Sequence, residues 1–342
     1  MSRDLCAPET GCCCAGIPKE VQTVSTTLSG KDILGAWKTR WGIGRMDFKV
    51  DPGLYAVGKP DDQSPVLVSA NYKLTFDTLR KNLSGLNCWL LILETKGVNV
   101  WCAAGKGTFG TDELVNRMEA VGIAGRVTHR KLILPQLGAS GVCAHEVTRR
   151  TGFSVVYGPV RARDINEFFT LGFHATGDMR RVNFTFMDRI VLTPLELVEA
   201  VKKTIFVYGI LFLLNLFAQR PFGFHDFILH AGTVLVGTVI TPILLPYMPV
   251  RAFSLKGWIL GFCFSALTLL LLGWFGAGTW LLSIGYMLLL PSLASYLAMN
   301  YTGCSTYTSP SGVLKEMKIA LPPIVCFSAV GIVLILIYRL IG

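Results

Sequence analysis

Between residues 65 and 172 the chain alternates short apolar runs with segments of helical spacing. PVLVSA (65–70), CWLLILET (88–95), KLILP (131–135) and FSVVYG (153–158) read as strands, with RIVLT (189–193) as a last one. CWLLILET is almost continuously apolar, as a strand buried on both faces requires. TFDTLRKNL (75–83), TDELVNRMEAVG (111–122), GVCAHEVTRRTG (141–152) and RDINEFFTLG (163–172) read as helices. In the second of these Thr111 is the expected N-cap, Asp112 and Glu113 fill the first turn, and Gly122 follows the end. VNVWCA (98–103) reads as a short extended piece. The alternation predicts a mostly parallel, doubly wound, Rossmann-like α/β sheet. Ligands of such sheets bind beyond the carboxyl ends of the strands, which singles out loops 69–75, 95–111, 135–141 and 157–163. PQLGASG and YGPVRA have the Gly/Pro character for this, and each reads equally well as an ordinary strand-to-helix turn.

Beyond residue 203 the pattern changes. Apolar runs at 204–219, 227–246, 257–273, 277–299 and 319–338 are each close to the ~20 residues that cross a bilayer, giving five expected spans. Thr193-Pro194-Leu195-Glu196 reads as a capping box with Pro at the first helical position. It starts a connector, 194–203, into the first span. The expected organisation is a polar lead-in (1–60), an α/β domain (61–193) and an all-α membrane domain (194–342).

Charge follows the same division. Residues 1–203 hold 26 Lys/Arg and 20 Asp/Glu, whereas 204–342 hold 6 and 2. Lys202, Lys203, Arg251, Lys256, Lys315 and Lys318 flank one side of the expected spans, against Arg220 and Arg339 on the other. The positive-inside rule then places the α/β domain in the cytoplasm, on the inner membrane, with the C-terminus outside. The opening residues lack the apolar core of a signal peptide. Ten cysteines in a reducing compartment argue for metal, cofactor or redox use rather than disulfides. The mild, dispersed basicity argues for membrane orientation and against nucleic-acid binding. Span interiors are nearly free of ionisable groups; His225, Asp226 and His230 lie near one end of the second. That suits an anchor and docking platform better than a pump. Cys263 and Cys326 read as small buried hydrophobes. The hydroxyl-rich loop 301–317, with Cys304, is expected on the cytoplasmic side, available to the α/β domain or a partner.

Candidate chemistry concentrates in NVWCAAGKGTFGT (99–111). GKGTFG satisfies the dinucleotide fingerprint G-x-G-x-x-G. Its confirming acid some twenty residues on is missing, since no Asp or Glu occurs from Arg126 to Cys143. A phosphate loop fails as well, with Val100 at the first glycine position and Gly107 after Lys106. Cys102 remains. Helical N–H groups nearby and Lys106 four residues on are surroundings that favour a metal-ligating thiolate. From the residues alone a small buried core cysteine is an equal reading.

NVWCAAGK resembles the signature of the mercury-methylating corrinoid family (HgcA), N-V/I-W-C-A-A/G-G-K, without a break from Asn99 to Lys106. ANYKLTFDTLR, LPQLGASGVCAHEV and YGPVRARD resemble the corrinoid domain shared with the large subunit of the corrinoid iron–sulfur protein of acetyl-CoA synthesis. The terminal spans and loop 301–317 resemble the membrane half of the mercury family. The resemblance implies a cobalamin-type cofactor with Cys102 as lower axial cobalt ligand on a short helix. It implies cofactor contacts from Asn99, Val100, Trp101, Ala103, Ala104, Gly105, Lys106, Gly107 and Thr108, with Ser69, Leu137, Gly138, Gly141, Gly158 and Pro159 from the neighbouring loops. The D-x-H-x-x-G ligand motif of many cobalamin enzymes is absent, no His having an Asp two residues before it. The implied function is methyl transfer from a methylated folate or similar C1 donor, through cobalt, to Hg(II). A thiolate opposite the Co–C bond suits an electrophilic acceptor, because the methyl must leave with electrons. The resemblance also implies a ferredoxin-like electron donor with two [4Fe–4S] clusters. Mercury is thiophilic, so Cys12, Cys13 and Cys14, with Cys6, are candidates for its capture, whereas Cys143 reads as packing. A corrinoid methyl carrier of C1 metabolism with another acceptor, or a membrane protein that only binds a corrinoid, are the alternative readings.

Overall fold

A computed structural model describes residues 21–305 and 307–340. These fall into two compact units, 21–36 with 46–181, and 37–45 with 182–340. Cys6, Cys12, Cys13 and Cys14 lie outside the described residues.

The first unit is built on a six-stranded sheet of β1 (Gln22–Val24), β2 (Gly53–Val57), β3 (Val66–Ala70), β4 (Cys88–Leu93), β5 (Lys131–Leu134) and β6 (Ser154–Tyr157). The spatial order is β1-β2-β4-β3-β5-β6. β4, β3, β5 and β6 run parallel, whereas β2 is antiparallel to β4 and parallel to β1. The sheet is therefore mostly parallel, as expected, with one antiparallel pairing, and β1 and β2 come from residues expected to be lead-in. Its helices are α1 (Gly30–Arg40), α2 (Lys73–Lys81), α3 (Val100–Gly105), α4 (Thr111–Val121), α5 (Ala144–Thr151) and α6 (Ile165–Thr170).

Alternation along the strands separates two cores. Val66, Val68, Ala70, Leu91 and Leu93 pack with Leu114 and Met118 of α4 and Val147 of α5. Leu67, Leu90, Ile92 and Ile133 pack with Phe76 and Leu79 of α2 and Phe168 of α6. Helices thus cover both faces, which explains the unbroken apolar run of β4.

Three local expectations are corrected. VNVWCA does not extend: α3 begins at Val100, because the Asn99 side chain accepts a hydrogen bond from Cys102 N at 2.9 Å and caps a helix. Thr111 is not an N-cap; Gly110 holds that position, and Thr111 Oγ1 accepts from Cys143 N at 2.9 Å. RIVLT forms no strand. A capping box at Thr185 and Asp188 starts α7 (Phe186–Ile190), and α8 (Thr193–Leu214) follows directly. The box expected at Thr193 is absent, since Thr193 Oγ1 donates instead to Ile190 O at 2.9 Å.

The second unit continues with α9 (Phe224–Leu235), a π-helical turn Val236–Ile240, α10 (Thr241–Leu244), α11 (Phe253–Leu271), α12 (Trp280–Asn300) and α13 (Pro310–Leu340). Among the described residues four stretches are long and apolar enough to cross a membrane: Phe224–Tyr247, Phe253–Leu271, Trp280–Gly303 and Ser311–Leu340. The expected span 204–219 is not among them, because α8 carries Glu199, Lys202 and Lys203 and ends at Leu214. With four stretches, the parity that put the C-terminus outside no longer follows. Glycines allow close helix contact: a Cβ on Gly257 would lie 2.5 Å from Ala294 O, and one on Gly331 would lie 2.7 Å from Gly285 O. Asp226 accepts from Arg339 Nη2 at 2.6 Å and from the Tyr286 hydroxyl, tying α9, α12 and α13. Cys263 and Cys326 are exposed rather than buried. In loop 301–317, Tyr301 is buried and donates to Arg189 O at 3.1 Å.

In the first unit, α1 is held to α2 by a partly buried ion network. Lys73 pairs with Asp32 at 2.7 Å and Asp77 at 2.8 Å; Arg80 pairs with both at 2.8 Å. Burial alone would raise the Asp32 pKa, but hydrogen bonds from Lys73, Ser29 and Arg80 outweigh it and hold the carboxyl well below its ordinary 3.8. Its stabilising contribution is therefore complete above that ordinary value and is lost as pH falls below it. Arg80→Ala, which leaves two carboxylates to share Lys73 alone, is expected to cost about 3 kcal/mol in chemical denaturation. Asp32→Asn is expected to flatten the acid limb of the stability–pH curve.

Candidate functional site

Strand order reverses at β3, with β4 on one side and β5 on the other. A cleft of about 410 Å³ opens beyond the carboxyl ends of β3, β5 and β6, where the connections leave in opposite directions. Leu74, Thr75 and Thr78 of α2 form one wall; Asn99–Trp101 of the α3 start, Leu137 and Gly158–Pro159 supply others.

The position of α3 depends on Asn71, a fully buried residue just past β3. Its Oδ1 accepts from Thr95 N (3.1 Å), Thr95 Oγ1 (2.9 Å) and Gly97 N (3.0 Å), while Nδ2 donates to Glu94 Oε1 at 2.9 Å. The single hydroxyl proton of Thr95 is shared between Asn71 Oδ1 and Val98 O, the latter 2.7 Å away. One side chain thereby fixes the turn leaving β4, in which Lys96 (φ 58°) and Gly97 (φ 69°) are both left-handed. The turn delivers Asn99 as the cap of α3.

Within α3, Val100, Ala103 and Ala104 are buried in the sheet core, Trp101 is exposed, and Cys102 is half-buried. The helix ends because Ala103 O accepts from Thr108 N (3.0 Å) and Phe109 N (3.1 Å), folding the chain back through Gly107 (φ 78°). Phe109 is completely buried behind it. Gly138 and Gly141 serve this packing. A Cβ on Gly138 would sit 2.6 Å from Phe109 Cε1, and one on Gly141 would sit 2.1 Å from Phe109 O and 2.9 Å from Ala104 Cα.

Of the expected site residues, Ser69, Asn99, Val100, Trp101, Leu137, Gly158 and Pro159 line the cleft. Cys102 and the segment Ala103–Thr108 do not, nor do Gly138 and Gly141; Gly105, Lys106 and Gly107 are exposed beside α3. Sequence reasoning missed Tyr72, Leu74, Thr75 and Thr78. Their signal was the hydroxyl pair Thr75 and Thr78, three apart on a helix that follows β3 directly. Cys143 takes the N-cap position of α5 and is exposed.

Among the described residues no three His, Cys, Asp or Glu side chains come together as a metal site. A metal at Cys102 would draw its remaining ligands from a macrocycle or solvent. The apolar cleft walls, edged by the hydroxyls of Ser69, Thr75 and Thr78 and the amide of Asn99, suit a flat macrocycle with amide substituents. These residues fit a corrinoid.

Two outcomes are expected from this geometry. Cys88 is fully buried, and burial pushes its thiol up to about 12, so alkylation of the native protein should modify Cys102 and spare Cys88, as peptide mapping would show. Gly141→Ala should overpack α3 against Phe109, costing about 1–3 kcal/mol and lowering the thermal midpoint, whereas Gly105→Ala meets nothing within 4 Å.

Residues 40–169 match the family model described as the CO dehydrogenase/acetyl-CoA synthase delta subunit. The chain is also similar to curated acetyl-CoA decarbonylase/synthase complex gamma subunits. It is 35% identical to that of Methanocaldococcus jannaschii over 121 residues, which is 35% of this chain and 24% of the relative. For Methanopyrus kandleri the figures are 34% over 122 residues, 35% of this chain and 26% of the relative. The gamma 2 subunit of Methanosarcina thermophila is 36% identical over 120 residues, 34% of this chain and 25% of the relative. The chain thus spans about a quarter of the length of these relatives, and the matched family model stops short of residues 182–340. The chain is accordingly similar, over residues 40–169, to subunits of CO dehydrogenase/acetyl-CoA synthase complexes.

Proposed function

We propose that this chain is a membrane-held corrinoid protein that carries a methyl group in one-carbon metabolism. The observation that carries the reading is the half-buried Cys102 on α3, next to residues that line the cleft where the strand order reverses, in a domain related to acetyl-CoA decarbonylase/synthase subunits. A bound corrinoid supplies a cobalt centre able to hold and release methyl. The chain's own part is binding and orientation. Asn99 fixes the backbone of Cys102; Trp101, Leu74 and Leu137 offer apolar surface that excludes water; Ser69, Thr75 and Thr78 offer hydroxyls to amide substituents. Cys102 would act as the cobalt-side thiolate, and Gly138 and Gly141 as packing that keeps α3 in place. A methylated C1 carrier would supply the methyl, and an iron–sulfur protein the electrons that return cobalt to its reactive state. The four apolar stretches would hold the unit at a bilayer.

A second reading, with Hg(II) as acceptor, is favoured by one observation: the unbroken NVWCAAGK string places the thiol on a capped helix beside the cleft. A thiolate donor suits release of methyl to a soft electrophile. Cys12, Cys13 and Cys14 would then be positioned in sequence to deliver mercury.

The test is an anaerobic single turnover of the full chain charged with isotopically labelled methylcobalamin. Labelled methylmercury on adding Hg(II), above that from free methylcobalamin, supports mercury as acceptor. Transfer only to a C1 or thiol acceptor in the presence of the reduced iron–sulfur partner supports the carrier. Cys102→Ala is expected to bind corrin yet lose at least about tenfold in transfer rate. Equal rates in the two proteins would overturn the thiolate role.

A further inference from the structure

Helix α1 and the turn after it hold a surface that the cleft does not use. Ile33, Leu34 and Trp37 are 54%, 57% and 61% exposed, and Trp41, Ile43 and Met46 continue the series at 37%, 61% and 66%. Positions 33, 34, 37 and 41 fall on one face, an arc of about 100°. Lys31 and Lys38 border that arc on one side and Arg40 on the other, while the opposite face carries Asp32 and the buried Thr39. Of the charged residues in 30–46, Lys31, Lys38, Arg40 and Arg45 are basic, and the lone acid, Asp32, is engaged by Lys73 and Arg80. An exposed apolar face with two tryptophans and a basic border has the composition of a helix lying in a lipid headgroup region.

Two further observations point to a bilayer as the occupant. Trp37–Arg45 belongs to the same compact unit as the four apolar stretches, and a Cβ on Gly42 would lie 3.3 Å from Leu195 Cδ1 at the start of α8. The segment is thus continuous with a unit already suited to membrane. Lys31 and Lys38 beside the apolar face are complementary to anionic headgroups.

We propose that Gly30–Met46 is an interfacial element that lies against an anionic phospholipid surface, with Trp37 and Trp41 in the headgroup region and Lys31 and Lys38 facing lipid phosphates. The proposal rests on the membrane part of the proposed function and is independent of corrinoid or methyl chemistry. The experiment uses the full chain in vesicles of brominated phosphatidylcholine, with and without brominated phosphatidylglycerol. Emission from Trp37 and Trp41 is obtained as the difference between wild type and the Trp37→Phe/Trp41→Phe variant. Trp258, Trp274 and Trp280 of the second unit report on membrane insertion. The expected result is quenching of the Trp37/Trp41 emission, about twofold stronger with phosphatidylglycerol, with that excess lost in Lys31→Gln/Lys38→Gln. Equal quenching in both lipids would overturn anionic recognition. An unquenched pair beside quenched Trp258, Trp274 and Trp280 would overturn the interfacial assignment and leave the face to a protein or to residues 1–20. If no tryptophan is quenched, the membrane reading falls and this proposal with it.

Discussion

The site depends on one buried amide. Asn71 sits where β3 ends, and its side chain satisfies the backbone of the turn leaving the neighbouring β4. A turn with two successive left-handed residues would otherwise expose N–H groups inside a water-free core, each a costly loss. Because Asn71 takes those bonds, the chain reaches Asn99 in the one orientation that lets it cap α3. The capped helix then sets Cys102 half-buried, while Ala103 and Ala104 go into the core and Gly141 lets the backbone of Phe109 come close. Removing any of these contacts would act on the thiol through backbone position.

Most of the central sheet was legible because its strands are buried on both faces and contrast sharply with amphipathic helices. The edge was not. Gly53–Val57 is apolar enough, but no flanking helix pattern marked it, and β1 is only three residues long. A strand's direction is also set by tertiary pairing rather than by its own composition, which hid the antiparallel β2. Cys102 and Asn99 were singled out from a contiguous string, but the cap that makes the string a helix was not. Thr75 and Thr78 were not singled out either, because they enter the cleft from a helix face whose polar positions look like a solvated surface. At RIVLT, β-branched residues suggested a strand, yet the Thr185–Asp188 capping box nucleated a helix that competed successfully. Cys263 and Cys326 were read as interior because apolar helices were judged as if their surroundings were water.

The two units carry separate kinds of information. The family model bears on residues 40–169, and the curated relatives are acetyl-CoA decarbonylase/synthase complex gamma subunits. The second unit, with its four apolar stretches, adds what such a domain would need in order to work at a bilayer. The small-residue contacts of Gly257, Gly285 and Gly331 make a packed helical assembly rather than a loose tether.

The three residues of β1 also determine how the sheet meets its surroundings. Gln22, Thr23 and Val24 occupy the hydrogen-bonding flank of Tyr55, Ala56 and Val57 in β2. Without them β2, an apolar and nearly fully buried strand, would present a bare ladder of N–H and C=O groups to solution. Such an edge templates addition of strands from other chains. The short N-terminal strand therefore works as a guard against aggregation, and a truncation or proteolytic cut before residue 25 would turn a well-behaved domain into a sticky one.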